Sequence, residues 1–248
     1  IIALKEASPI DFHNAYVAHC VISLLAATGA RTVRDPFESP LHFNWAEGFV
    51  YVNDKSDDGL HQGRLCVLPR ALSDRIQGHY RRHLRLLADA ISDQRPELAS
   101  AIEQLAEGKA STIPFFFFLE PDGQWSNVSP TKIKALELFD WPLPLNLFRH
   151  RFIQQLTRRG VDPEVIEGLV GHAETGAASY GDASPRCWLD DIAACRDDIE
   201  ETYASLKLTE LSSWSTVPPF DPSSNAQLTA AALTKSFGIA LREQDRQQ

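Results

Sequence analysis

The residues best suited to phosphate chemistry crowd into LNLFRHRFIQQLTRRGVDPEVIEGLVGHAETGAASY, which holds Asn146, Arg149, His150, Arg159, His172 and Tyr180. A guanidinium is a permanently charged planar fork that matches phosphate oxygens. An imidazole can donate or accept a proton near neutrality, and a phenol can act as a nucleophile once it loses its proton. Leu147, Phe148, Phe152, Ile153 and Leu156 recur at helical spacing, so the pattern predicts a helix over 146–159 with one apolar face. Arg149 falls among those packing residues, where a cation rarely belongs without a partner. Gly160 closes that helix, and Asp162 followed by Pro163 opens a second one as N-cap and first helical residue. The second helix stops at Gly171 and His172, and an isolated tyrosine, Tyr180, follows. We read the stretch as a catalytic block.

This order resembles the second catalytic box of the tyrosine recombinase (phage integrase) family, roughly His-x-x-Arg-His, helix, Arg-Gly-Val, helix, Leu-Gly-His, then tyrosine. The corresponding positions are Asn146, Arg149 and His150, then Arg159, Gly160 and Val161, then Val170, Gly171 and His172, then Tyr180. Asn146 stands where the family has a histidine, and the step from His172 to Tyr180 is eight residues where about nine is usual. Upstream, TGARTVRDPFE resembles the family's first box, Thr-Gly-x-Arg followed by an acidic residue, with Arg31 as its arginine. Lys55 occupies the turn between two expected strands, where the family carries a catalytic lysine on a hairpin. Taken singly, each has an ordinary alternative: an arginine beyond a helix C-cap, a lysine in a turn, a packed tyrosine, a histidine capping a helix.

The resemblance implies strand exchange through a covalent 3'-phosphotyrosine. Tyr180 would be the nucleophile, Arg31 and Arg149 would hold the non-bridging oxygens, and Lys55 would protonate the leaving 5' oxygen. His172 would donate to a phosphate oxygen or position Tyr180, and Asn146 would give one neutral hydrogen bond. Because the phosphotyrosine conserves the bond energy, neither cofactor nor metal is expected. The expected partner is double-stranded DNA, with self-association on DNA through the C-terminal helix, in the cytoplasm and at the nucleoid when bound. The family usually sets a helical DNA-clamping domain ahead of this one. An alternative is a recombinase-like module that binds DNA or protein without cutting.

The elements that must position these residues read as mainly α with a small antiparallel β-sheet, an α+β class resembling the recombinase catalytic domain. We expect a domain over residues 1–185 and a helical extension over 186–248. Residues 8–29 predict a helix whose buried side is Tyr16, Val17, Cys20, Val21, Leu24 and Leu25. Residues 41–69 predict three short strands, and 70–108 one or two helices broken near Asp93 to Pro96. PFFFFLEPDGQW predicts a buried strand ending in a turn, and Ser129-Pro130 opens a helix to about residue 139. WPLPL then reads as an extended link. Beyond Tyr180 the apolar spacing of Trp188, Ile192, Cys195 and Ile199 predicts one long helix. A Ser/Pro-rich linker over 209–225 and an amphipathic helix over 226–242 complete the chain.

With 248 residues the chain can bury a full core. No window approaches eighteen uninterrupted apolar residues, so a soluble protein is expected. Cys20, Cys66, Cys187 and Cys195 show no C-x-x-C pair and suggest buried thiols in a reducing compartment. His79 and His83, flanking Arg81 and Arg82, read as part of a solvated basic helix face. The net charge of −9 is unfavourable for DNA, whose non-specific affinity comes from phosphate neutralisation. Such a chain needs a concentrated basic surface or a second DNA-binding domain, with Arg81, Arg82, Arg85, Lys132, Lys134, Arg149, Arg151, Arg158 and Arg159 as the candidates for the first.

Overall fold

Helix α1, Pro9–Thr28, runs through the middle of the protein, and nearly every residue along it is buried. The sequence expectation of a single buried side was too narrow, because α1 is apolar around its whole circumference and other elements cover it all round. It is long and apolar enough to cross a membrane by length and composition, and 78% of that window is buried inside the fold. The computed structural model describes residues 9–32, 36–54, 63–136, 144–172 and 186–208. These residues form a mainly helical structure with a small antiparallel sheet, an α+β arrangement.

Strands β1 (Phe43–Asn44), β2 (Phe49–Val52) and β3 (Arg64–Val67) make an antiparallel meander, with Val50 opposite Phe43 and Cys66, and Val52 opposite Arg64. A second ladder pairs β4 (Phe117–Leu119) with β5 (Trp125–Asn127). The phenylalanine run is buried as expected, although only its last two members lie in a strand. Asn14 of α1 binds the edge of β4 by accepting from the Leu119 N–H at 2.8 Å and donating to the Leu119 carbonyl at 2.9 Å.

Residues 70–106 form α2 (Arg70–Asp74), a π turn (Arg75–Tyr80), α3 (Arg81–Ile91) and α4 (Pro96–Ala106). His83 is not on a solvated face. It is buried, and its Nε2 contacts His13 Nδ1 at 2.9 Å, while His79 is exposed. The helix begun by Ser129 is α5, Pro130–Ala135, and residues 137–143, with much of the expected link, lie outside the described set.

The catalytic block contributes α6 (Leu147–Arg158) and α7 (Pro163–Val170). The buried stripe of α6 is Phe148, Phe152 and Leu156, an i, i+4, i+8 row with Arg149 beside it; Leu147 falls off that row and is exposed. In place of one long helix after residue 186 there are two, α8 (Trp188–Ala194) and α9 (Arg196–Ala204), which meet at Cys195. Both pack on the body of the fold. Trp188 Nε1 donates to the Leu65 carbonyl of β3, and the Arg196 guanidinium lies over the Phe49 ring. Arg159 after α6 pairs with Glu201 of α9. Cys20, Cys66 and Cys195 are buried, whereas Cys187 is exposed, contrary to the expectation that all four thiols are sheltered.

Candidate functional site

Two helix ends and one buried arginine build the site. Helix α1 stops at Gly29 (φ +61°), whose N–H bonds the Leu25 carbonyl. A Cβ there would come within 2.7 Å of the Phe152 ring, so glycine both permits the left-handed turn and lets α6 approach. Helix α7 stops at Gly171 (φ 70°, ψ 33°), with Gly171 N–H on the Gly168 carbonyl and His172 N–H on the Glu167 carbonyl. That paired ending is a Schellman motif, and it fixes the backbone from which His172 projects.

Arg149 links these two ends. Its Nη1 donates to the Gly29 carbonyl at 2.8 Å, and Nη2 donates to the Val170 carbonyl at 2.6 Å and to His172 Nε2 at 2.9 Å. Carbonyls at helix C-termini are otherwise without partners and carry partial negative charge, which favours a cation there. The expectation that a cation in the apolar stripe must have partners therefore holds, and those partners are main-chain carbonyls and an imidazole. A guanidinium has no acceptor, so His172 must accept through an unprotonated Nε2 and carry its proton on Nδ1.

Asp54 and Arg64 complete the cluster. Just after β2, the buried Asp54 receives both Arg64 nitrogens, Nη1 on Oδ1 at 2.5 Å and Nη2 on Oδ2 at 3.0 Å. Its Oδ2 also takes the Arg31 backbone N–H at 2.5 Å, and Arg64 Nε reaches the Leu169 carbonyl at 2.5 Å. One carboxylate thus holds the Arg31 backbone and orients the arginine that caps α7. The half-buried Arg31 finds no hydrogen-bonding partner for its guanidinium among the described residues.

Three guanidiniums, Arg31, Arg64 and Arg149, lie close enough to act on one another around the buried Asp54 carboxylate, which leaves local positive charge in a chain of net charge −9. Burial, followed by the charges of Arg64 and Arg31, pushes the Arg149 pKa down to about 10. Burial first, and then Arg149 and Arg31, hold the His172 imidazole below its ordinary value. For Asp54, burial raises the pKa, but the hydrogen bonds and charge of Arg64 more than offset it and leave the carboxyl below its usual range. An excess of fixed donors and cations of this kind suits an anion with several acceptor oxygens.

Of the residues singled out from sequence, Arg149 and His172 touch, and Arg31 is joined to them through Gly29 and Asp54. Asn146 is exposed at the start of α6, one turn before Arg149, and makes no side-chain capping bond. Lys55 and Tyr180 lie outside the described residues. The sequence reading missed Asp54 and Arg64 as members of the site. The available signal was an arginine heading the apolar strand RLCV and an aspartate two residues after FVYV. Two of the expected DNA-facing cations are neutralised internally, Lys132 by Glu120 and Arg159 by Glu201 and Asp198. Comparison with protein-family models, with curated proteins and with solved structures gives no match.

Proposed function

We propose that this chain is the catalytic domain of a tyrosine-type site-specific DNA recombinase. The observation that carries the reading is the junction of Arg149 with both Gly29, two residues before Arg31, and His172, across 120 and 23 residues of sequence respectively. On this reading the Tyr180 phenolate oxygen bonds to phosphorus as the bond to the 5' oxygen breaks, and Lys55 gives its proton to that leaving oxygen. Arg31 and Arg149 hold the non-bridging oxygens, His172 offers its Nδ1–H, and Asn146 adds a neutral donor. Religation reverses the step and needs no cofactor. Double-stranded DNA is the partner, and the helix expected over 226–242 docks on a neighbouring protomer.

The test is covalent capture. The full chain is incubated with nicked duplexes carrying randomised sequence, and a denaturation-resistant protein–DNA adduct is expected that disappears in Tyr180→Phe. No adduct anywhere in the pool, or one that persists in the variant, overturns the reading.

A second reading is a recombinase-like module that binds without cutting. It is favoured by the engagement of Arg149 Nη1 and Nη2 with protein acceptors and by the asparagine at 146. Retention of duplex DNA with no adduct in the same experiment selects it.

A further inference from the structure

Arg75 lies in the π turn between α2 and α3, and only 5% of it is exposed. A buried guanidinium cannot shed its charge and normally has a carboxylate beside it. Arg75 has none within ion-pair reach among the described residues; its hydrogen bond is from Nη1 to the Tyr203 hydroxyl at 3.3 Å. The remaining polar groups around it are neutral side chains rather than carboxylates. Tyr16 and Ser23 project from α1 and Tyr203 from α9, and all three are buried. The Ser23 hydroxyl bonds the Tyr203 oxygen, whereas the Tyr16 hydroxyl, His19 Nδ1 and Arg75 Nε have no hydrogen-bonding partner among the described residues. Burial keeps the Tyr16 and Tyr203 phenols protonated, so both have an O–H to give. Unpartnered donors are rare in protein interiors, and several around one uncompensated cation require a shared acceptor.

We propose that Arg75, with the Tyr16 and Tyr203 phenols, forms an internal site for a small inorganic monoanion of the halide class. A single negative charge balances the single guanidinium, which a neutral water would leave uncompensated. A spherical acceptor also suits donors converging from three separate elements. Such an ion ties α9 to α1 and the π turn, and α9 is the helix that receives Arg159 from the end of α6.

The full chain is unfolded thermally in sodium chloride and in sodium gluconate at equal ionic strength, and chloride binding is read independently by quadrupolar line broadening. At chloride about five times its dissociation constant, the midpoint is expected to rise by roughly 2–4 °C over gluconate. Excess broadening should accompany it, and both effects should be lost in Tyr16→Phe and Arg75→Met. Should Arg75→Met fail to fold, Tyr16→Phe and the broadening of the unmodified chain decide. Equal midpoints in the two salts overturn the proposal. So does broadening without a halide-specific shift, which marks an adventitious ion only, or a shift that survives both substitutions.

Discussion

Arg149 Nη2 and His172 Nε2 meet at 2.9 Å, and since a guanidinium can only donate, the contact exists only with the imidazole neutral. Protonating His172 would break the contact and set a second cation against the first. A nitrogen-15 NMR titration should place the His172 pKa below the unperturbed 6.5, the direction set by burial and by Arg149. The contribution of His172 to stability is therefore complete above 6.5 and declines as the pH falls below it. In Arg149→Met the pKa should rise, because a like charge has gone. An unchanged or lower value would mean that the contact does not form in solution.

The His13 and His83 pair sets a larger acid sensitivity. Burial lowers the His13 pKa from 6.5 to about 4, and His83 is lowered in the same direction. Between those values the unfolded chain holds more protons than the native one, so stability falls as the pH drops from 6.5 toward 4. At 1.36 kcal/mol per pKa unit, His13 alone accounts for a loss on the order of 3 kcal/mol. Urea unfolding at pH 7 and pH 4.5 should show the decline. A His13→Gln variant should show a shallower one, even though its absolute stability is lower.

How much of this was legible in the sequence depended on whether the signal was local. Asp162-Pro163 and Gly171 announced α7 because capping is decided by neighbouring residues, and the observed bond from Glu164 N–H to the Asp162 carboxylate follows from it. The α1 apolar pattern gave the helix but not its burial on every side, which depends on elements far away in sequence, such as the β4 edge at Leu119, 105 residues from Asn14. The His13 and His83 contact and the Asp54 and Arg64 pair were hidden for the same reason. A charge adjoining a hydrophobic run looks solvated until its partner is located. The helix breaks at Cys195 although the apolar repeat runs on through that residue, with no glycine or proline to mark the break.

Asp54→Asn should be among the costliest single substitutions in the chain. It leaves Arg64 buried without a counter-ion and weakens the hold on the Arg31 N–H. Removing one member of a buried pair typically costs about 3–5 kcal/mol. The double change Asp54→Asn with Arg64→Met should recover part of that loss, since no charge is then stranded. Denaturant unfolding of the four proteins gives the coupling directly, and additive single effects would contradict the pairing.

Gly171→Ala and Gly29→Ala should differ in severity although both force an L-residue into the left-handed region, at about 1–2 kcal/mol. At Gly171 the added methyl lies 3.0 Å from Arg64 Nη1, a contact that a movement of a few tenths of an ångström relieves. At Gly29 it meets the fully buried Phe152 ring at 2.7 Å, and the ring has nowhere to go. Chemical unfolding should therefore rank Gly29→Ala as the less stable variant by at least about 1 kcal/mol, the usual scale of core overpacking.

Arg31→Gln separates the site's chemistry from its scaffold. The Arg31 backbone N–H holds Asp54, which glutamine preserves, and its guanidinium has no hydrogen-bonding partner among the described residues. Unfolding free energy should consequently stay within about 0.5 kcal/mol of the parent, as for a substitution away from structural contacts. If the cluster stabilises a phosphoryl transition state, covalent adduct formation on a nicked duplex should fall on the order of a hundred- to a thousand-fold, the loss typical of removing one such donor. Arg149→Gln should lose both activity and stability, because the Gly29 and Val170 carbonyls lose their donor. A substantial loss of stability in Arg31→Gln would instead make Arg31 a structural residue and remove it from the phosphate clamp.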